Sequence, residues 1–398
     1  MNINIKYAEC YLDGLKSEDN MNKVNEIHRT KMKSSEPMSE WIDHPVKINA
    51  GIITKYINQV KKENKIMVVI GTGGSYLGAK AAIDMLGTPG EEKVFFIGPS
   101  TDTRYLNYVL SLCMRYDVIL NVISKSGSTM ETSLYFNIFE NFLKEKYKDN
   151  WYRHICCTTS ESGDLYNIAI KNSYKLFFIP ENIGGRFSVI SNVGLIPMAF
   201  AGIDIEALLN GAQKARLETK YIENNAYKYA VIRNMLYNQG FKIEMFVSYF
   251  EYFNSFNEWL KQLFGESEGK DHKGILPCSL EYPKDLHSMG QYMQDGERMI
   301  FETQFNIKHP HTIENQYIDK TIFNEIRNAT VKGTAQAHKD GGVPVLIFNI
   351  DKLDENTVGY LFYFFEMACA MSAHLLKVNP FDQPGVEQYK TNIKNILK

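Results

Sequence analysis

The chain has 398 residues, of which 44% are hydrophobic and 23% are charged, as in an ordinary globular protein with a sizeable core. Its formal net charge of −2 gives no general attraction to nucleic acid or to anionic membranes, so we expect neither as a partner. A phosphate-binding site would have to be built locally. The length favours two or three domains.

The cysteines indicate a reducing compartment. They are scattered through apolar surroundings, and no two have the C-x-x-C spacing of a zinc or redox site. We therefore expect reduced thiols and a cytoplasmic protein. Residues 1–13 lack the basic and apolar regions of a signal peptide. The apolar run 358–376 contains Glu366 and His374 and has helical periodicity, which predicts a buried helix and not a membrane span.

Residues 1–45 are mixed and polar, and we interpret them as an N-terminal extension packed on the main body. A regular alternation of helices and short apolar strands follows. The strands are predicted at 66–70, 94–97, 118–123, 154–158 and 175–179. Such alternation implies a parallel sheet covered on both faces, and sheets of this kind bind ligands at the carboxyl ends of their strands.

The alternation restarts beyond residue 224, with strands predicted at 243–249, 275–279, 299–305 and 344–348. We therefore predict an α/β protein with two doubly wound parallel-sheet domains, residues 46–200 and 225–378. A helical linker, 201–224, joins them, and a helical tail, 379–398, follows the second.

The first glycine-rich turn, residues 71–78, follows a predicted strand and opens a helix, as an anion-binding turn does. It departs from the dinucleotide fingerprint because Tyr76 stands where the third glycine belongs. The next strand also ends without an acid for a ribose, so nicotinamide binding is not expected. The alternative is that the glycines only allow a helix to pack tightly on a strand.

The second turn, residues 124–132, follows the third predicted strand and enters a helix. It contains five hydroxyl side chains and a lysine beside the N–H groups of a helix N-terminus, which suits a phosphate dianion. It lacks the form of a nucleotide P-loop, so the ligand is predicted to be a small phosphate ester. A capped polar surface loop would explain one or two of these hydroxyls, but not five.

The stretch Gly265-Glu266-Ser267-Glu268-Gly269-Lys270 places two carboxylates between two glycines, directly after a helix predicted to end at Phe264. A flexible backbone there could present one acid to a ligand. The alternative is a solvated helix C-terminus capped by Gly269.

Three further side chains need context. Arg186 follows two glycines and precedes an apolar helix, where it could stabilise an oxyanion or form a structural ion pair. By itself, His287 near a helix start would be interpreted as a structural residue. Lys390 in the tail would be interpreted as a solvated surface lysine.

Taken together, these stretches closely resemble the glucose-6-phosphate isomerase (phosphoglucose isomerase) family in its compact bacterial form. The segments fall in the family's order and approximate spacing: 71–77, 124–132, 184–188, 265–270, 287–296 and 383–390. The resemblance implies two sugar-isomerase domains and an aldose–ketose isomerase that interconverts glucose 6-phosphate and fructose 6-phosphate in glycolysis and gluconeogenesis. It implies no metal and no cofactor.

By position, the resemblance implies that Glu266 shuttles a proton between C2 and C1 and that Arg186 steadies the enediolate. It implies that His287 and Lys390 assist ring opening, with the histidine reaching the site from the partner subunit of a homodimer. The implied substrate-binding residues are Gly74, Ser75, Ser124, Lys125, Ser126, Thr129, Thr132, Gln262 and Gln383.

Two other functions were weighed. The isomerase half of an amidotransferase matches the carboxylate stretch poorly, and no N-terminal cysteine glutaminase domain is expected here. A non-catalytic sugar-phosphate sensor could use the hydroxyl-rich turn, but it would have no use for Glu266, Arg186, His287 and Lys390 together, and no basic helix-turn-helix precedes the first domain.

Overall fold

The computed structural model describes residues 2–61, 65–125, 127, 129–310 and 315–397. Ten strands are described: β1 Asn2–Tyr7, β2 Lys65–Ile70, β3 Val94–Ile97, β4 Asp117–Ile123, β5 Ile155–Thr159, β6 Lys175–Phe178, β7 Ile243–Ser248, β8 Leu276–Glu281, β9 Ile300–His309 and β10 Val345–Lys352.

The described α-helices begin with α1 Glu18–Thr30, α2 His44–Lys47, α3 Ala50–Val60, α4 Leu77–Leu86, α5 Thr103–Arg115, α6 Met130–Tyr147, α7 Asp164–Asn172 and α8 Asn192–Ala201. They continue with α9 Ile205–Glu218, α10 Asn225–Asn238, α11 Asn254–Glu268, α12 Gly290–Asp295, α13 Lys320–Asp340, α14 Glu355–Leu375 and α15 Glu387–Ile396.

The chain divides into two compact units. The first unit comprises Ser34–Lys214 and Glu355–Tyr363, and the second comprises Met1–Lys33, Ala215–Asp354 and Phe364–Lys398.

The sheet of the first unit has the order β3-β2-β4-β5-β6, with every pair parallel. Its central strands are apolar runs that are buried along almost their whole length, because helices cover both faces. Val68 on β2 lies beside Leu120 on β4, and both belong to the core that α5 and α6 complete. Strands β3 and β4 flank β2 on opposite sides, so the order in which strands are added to the sheet reverses next to β2. Parallel sheets of this type bind ligands at the carboxyl ends of the strands beside such a switch point.

The sheet of the second unit has the order β1-β10-β9-β7-β8. Strands β7 to β10 are parallel, and β1 adds an antiparallel edge through pairs such as Ile3 with Phe348. The core on one face combines β7, β9 and β10 with α13. Two mainly parallel sheets covered by helices confirm the predicted α/β class.

Candidate active site

A cleft of about 620 Å³ lies at the carboxyl ends of β2, β4 and β5 in the first unit. It opens at the switch point of the sheet, where the turns after these strands converge. Its lining is dominated by hydroxyl side chains and is made of Thr72, Ser75, Ile123, Ser124, Lys125, Thr129, Thr132, Ser160, Ser162 and Gly163. The structure therefore brings together five residues that the sequence predicts as substrate-binding: Ser75, Ser124, Lys125, Thr129 and Thr132.

The hydroxyl-rich turn after β4 is shaped by its own polar groups. Gly127 has a φ of 75°, a conformation that favours glycine, and its N–H donates to Ser124 Oγ at 3.0 Å. Thr129 lies at the N-cap of α6, yet its side chain makes no capping hydrogen bond within the described residues. Its hydroxyl lines the cleft instead. The predicted Ser126 lies outside the described residues.

Lys125 has a structural contact that the sequence did not indicate. Its Nζ donates to the carbonyl oxygens of Glu181 at 2.6 Å and Ile183 at 3.3 Å. Burial lowers the pKa of Lys125, while the Glu181 carboxylate opposes that shift. The Lys125 side chain thus ties the turn after β4 to the segment that leads into Gly184.

Three hydroxyl residues of the cleft, Thr72 after β2 and Ser160 and Ser162 after β5, were missed by sequence reasoning. Ser160 and Ser162 come directly after β5, and Ser160 is 8% exposed. The available signal was their position, because the carboxyl ends of neighbouring parallel strands meet at one edge of a sheet.

The glycine turn after β2 packs against the turn that carries Arg186. A Cβ on Gly74 would lie 2.1 Å from the carbonyl oxygen of Gly185, and a Cβ on Gly78 would lie 2.4 Å from Val189 Cγ2. Both positions therefore require glycine for this close packing. Arg186 itself is buried, with an exposed fraction of 2%.

Glu266 lies in the second unit, on a helix and not in a loop. The prediction that the helix ends at Phe264 is wrong, since α11 continues to Glu268 and closes with a hydrogen bond from Gly269 N–H to the Gly265 carbonyl at 3.1 Å. Gln262, one turn earlier, donates from Nε2 to Glu266 Oε1 at 3.2 Å. The half-buried carboxylate of Glu266 therefore has a fixed direction.

The alternative of a helix end capped by Gly269 is confirmed for the cap itself, but the end is not solvated throughout, because the other carboxylate of the stretch is fully buried. Glu268 is ion-paired with Arg233, and each has an exposed fraction of 0%. Within residues 265–270, Glu266 is thus the carboxylate that is partly exposed.

The tail segment is held beside the end of α11. Lys270 Nζ donates to the carbonyl oxygen of Asn379 and lies 2.9 Å from the Asp382 carboxylate. Gln383 is the next residue along the chain. Lys390 follows on α15, where its Nζ donates to Glu387 Oε1 at 2.9 Å and its side chain is 47% exposed.

Within one chain, His287 follows the carboxyl end of β8, whereas Glu266 lies near the beginning of that strand. His287 ends the turn Lys284–His287 beyond the carboxyl end of β8, where Asn254 at the start of α11 donates to Glu281 at 2.6 Å. The other end of α11 lies beside the beginning of β8, because a Cβ on Gly265 would be 3.5 Å from Pro277 Cγ. The strand between Pro277 and Glu281 spans roughly 13 Å, which separates the end of α11 from the start of the turn that carries His287.

Among the described residues, no group of three or more His, Cys, Asp or Glu side chains is arranged to hold a metal ion. None of the helices in the described ranges combines the length and the apolar character needed to cross a bilayer.

Comparisons with known proteins agree on one family. The model of the phosphoglucose isomerase family matches residues 13–298. The glucose-6-phosphate isomerase of Staphylococcus aureus (strain NCTC 8325 / PS 47) is 44% identical over 402 residues, which cover 94% of this chain and 90% of that protein.

Two solved structures share the fold. A hypothetical protein from Thermus thermophilus has a TM-score of 0.86 at 26% identity, covering 100% of this chain and 99% of that one. A glucose-6-phosphate isomerase from Chlamydia trachomatis has a TM-score of 0.82 at 20% identity, covering 98% and 86%. With the family model matching most of the chain and a relative 44% identical along nearly all of it, this chain belongs to the phosphoglucose isomerase family.

Proposed function

We propose that this chain interconverts glucose 6-phosphate and fructose 6-phosphate by ring opening and proton transfer through an enediolate, the step that serves glycolysis and gluconeogenesis. The observation that carries the proposal is a hydroxyl-lined cleft at the switch point of the first sheet, in a member of the phosphoglucose isomerase family.

The phosphate of the sugar is assigned to that cleft. Ser75, Ser124, Thr129 and Thr132 supply hydroxyl donors, and the N-terminus of α6 adds the positive end of a helix dipole. Lys125 contributes its charge from the cleft wall. The resemblance adds Gly74 and Ser126 to this set.

Glu266 is assigned the proton transfer between C2 and C1. An aldose and a ketose differ by one proton on carbon and one on oxygen, which a carboxylate can move without a metal or redox cofactor. Because the carbon acid is far weaker than a carboxylic acid, most of the barrier must be removed by stabilising the enediolate, and Arg186 is assigned that role. Gln262 and Gln383 are assigned to the sugar-binding walls, and Gln262 also orients Glu266.

Ring opening of the cyclic sugar needs a second acid–base pair, which we assign to His287 and Lys390. The separation of His287 from Glu266 along β8 supports delivery of the histidine by a second copy of the chain. We therefore propose a homodimer.

Exposed apolar side chains support this assembly. Ile322, Phe323 and Ile326 form an exposed apolar face on α13, and Tyr389, Ile393 and Ile396 form another on α15. Apolar patches of this kind on a water-exposed surface are typical of interfaces between proteins. A cytoplasmic location is proposed as well, since no disulfide joins the cysteines in the described chain.

A coupled assay tests the function. Purified protein without added metal is given fructose 6-phosphate, and glucose 6-phosphate is followed through a specific dehydrogenase. We expect wild-type turnover, a loss of about 10²–10⁴-fold in kcat for Glu266→Gln, and no loss for Glu258→Gln, which makes the same change at an exposed site of the same helix. Absence of wild-type turnover would overturn the proposal.

A further inference from the structure

A buried ion-pair cluster holds the last turn of α11 in place. Glu268 contacts Arg233 of α10 through two hydrogen bonds, one of them from Nη2 to Oε2 at 3.1 Å. Arg233 also donates from Nε to Glu244 Oε2 on β7 at 2.7 Å and from Nη1 to Ser372 Oγ on α14 at 2.7 Å. All four side chains have an exposed fraction of 0%.

Arg233 itself is held rigidly. It is bonded to a strand and to two helices, and its guanidinium lies 3.9 Å from the centre of the Phe264 ring. Tyr229 and Thr303 donate to Glu244, which fixes that carboxylate in turn. A planar guanidinium fixed on all sides offers Glu268 a single bidentate geometry.

The position of Glu268 determines the direction of Glu266. Residues two positions apart on an α-helix are rotated by roughly 200° about its axis. A side chain that points into the core at position 268 therefore places the side chain at position 266 on the opposite side of the helix. Apolar packing alone would hold the helix but would tolerate small rotations. A bidentate ion pair at the last helical residue opposes them, because both hydrogen bonds are directional.

We propose that Glu268, through Arg233, is a positioning residue that sets the orientation of the Glu266 carboxylate. The inference rests on the proposed function of Glu266 for its kinetic consequences, whereas the anchoring of the helix end is a property of the fold and can be measured separately.

The experiment compares Glu268→Gln with Glu244→Gln. Both variants remove one carboxylate from the same guanidinium, but Glu244 lies on β7 and not on the helix that carries Glu266. Kinetics give kcat and KM for fructose 6-phosphate, thermal unfolding gives stability, and amide hydrogen exchange follows residues 264–270. Glu268→Asp keeps the charge and shortens the side chain by one methylene, so it decides the question if the glutamine variant does not fold.

For Glu268→Gln we expect kcat to fall by about 10–100-fold with KM changed less than about threefold, and residues 264–270 to exchange at least about tenfold faster. Glu268→Asp should show the same changes to a smaller extent. In Glu244→Gln the amide oxygen still accepts from Arg233 Nε, so the guanidinium keeps its place beside Glu268. We expect this variant to lose comparable stability, to keep kcat within about threefold and to leave exchange at 264–270 unchanged.

Equal losses of kcat in Glu268→Gln and Glu244→Gln would overturn the inference, since both would then act through general stability. Unchanged exchange at 264–270 in the Glu268 variants would overturn it as well. If the wild-type protein had no isomerase activity, the proposed function would fail, while the exchange comparison would still decide whether Glu268 holds the helix end.

Discussion

Two glutamates two positions apart on α11 meet different surroundings, and the surroundings decide what each can do. Glu266 is half-buried beside the amide of Gln262, so its carboxylate can still meet a ligand. Glu268 is enclosed, and burial raises its pKa while the Arg233 guanidinium opposes that shift. A carboxylate locked on a guanidinium is unsuited to shuttling protons.

These two residues also show which contacts can be predicted from the sequence and which cannot. The role of Glu266 and the neighbouring Gln262 was predicted from local spacing and resemblance, and the contact between them is an ordinary i, i+4 pair. The partners of Glu268 come from α10, β7 and α14, which are far apart in the chain. Only the tertiary fold brings them together, so no local pattern could predict the cluster.

At the residue scale, the surroundings of His44 indicate that the folded protein loses stability in acid. The ring nitrogens of His44 are buried and have no hydrogen-bond partner within the described residues. Burial lowers the pKa of His44 to about 4, with a smaller contribution from Lys47. Because the unfolded chain protonates this histidine near pH 6.5 and the folded protein only near pH 4, the folded state loses stability as the pH falls through this range. The free energy of unfolding should drop by about 3 kcal/mol.

We therefore expect His44→Gln to flatten the fall in urea midpoint between pH 6.5 and pH 4.5. His309→Gln, which changes an exposed histidine on β9, should keep the wild-type slope. A wild-type slope in His44→Gln would contradict the buried neutral imidazole.

At the element scale, Lys270 connects the end of α11 to the tail that carries Gln383 and Lys390. The contacts of its ammonium with Asn379 and Asp382 hold the segment before α15. Lys270→Met should release that segment, so we expect faster proteolysis of the tail and a kcat lowered by about tenfold or more, since small displacements of acting groups are costly. Limited proteolysis and steady-state kinetics measure both effects.

Lys261→Met provides the control, because Lys261 lies on α11 and pairs with Glu258 on the surface, away from the tail contacts of Lys270. It should match wild type in both assays. A Lys270→Met variant with a protected tail and full activity would show that other contacts hold α15.

The strands and helices differ in how well the sequence predicts their positions and bounds. Strand β3 has the predicted bounds, because it is a clear apolar pattern between turn signals. Strand β1 was not predicted: residues 2–7 alternate over only six positions, and their partner β10 lies near the other end of the chain. The sequence predicts that α11 ends before Gly265, yet a glycine costs only about 1 kcal/mol inside a helix, and the buried contacts of Glu268 offset that cost.

At the scale of the whole molecule, the separation of Glu266 and His287 predicts shared active sites. Mixing inactive Glu266→Gln with inactive His287→Ala creates heterodimers in which one site has both residues intact. After subunit exchange we expect activity to return to about one quarter of wild type, because half of the randomly formed dimers are mixed and each has one working site.

The coupled assay measures this recovery, and each variant incubated alone serves as the control. A mixture that stays as inactive as its components after verified exchange would place both residues in one chain's site and contradict the proposed arrangement.

The most direct test of the central claim is isomerisation in D₂O, followed by NMR of the recovered sugar phosphates. A carboxylate that takes a proton from carbon exchanges it with solvent during repeated turnover, so deuterium should accumulate at the exchanging carbon with the wild type and with Glu258→Gln. Glu266→Gln should give neither product nor label. Full equilibration of the two sugars without any deuterium, or equal labelling by Glu266→Gln, would contradict proton transfer by Glu266.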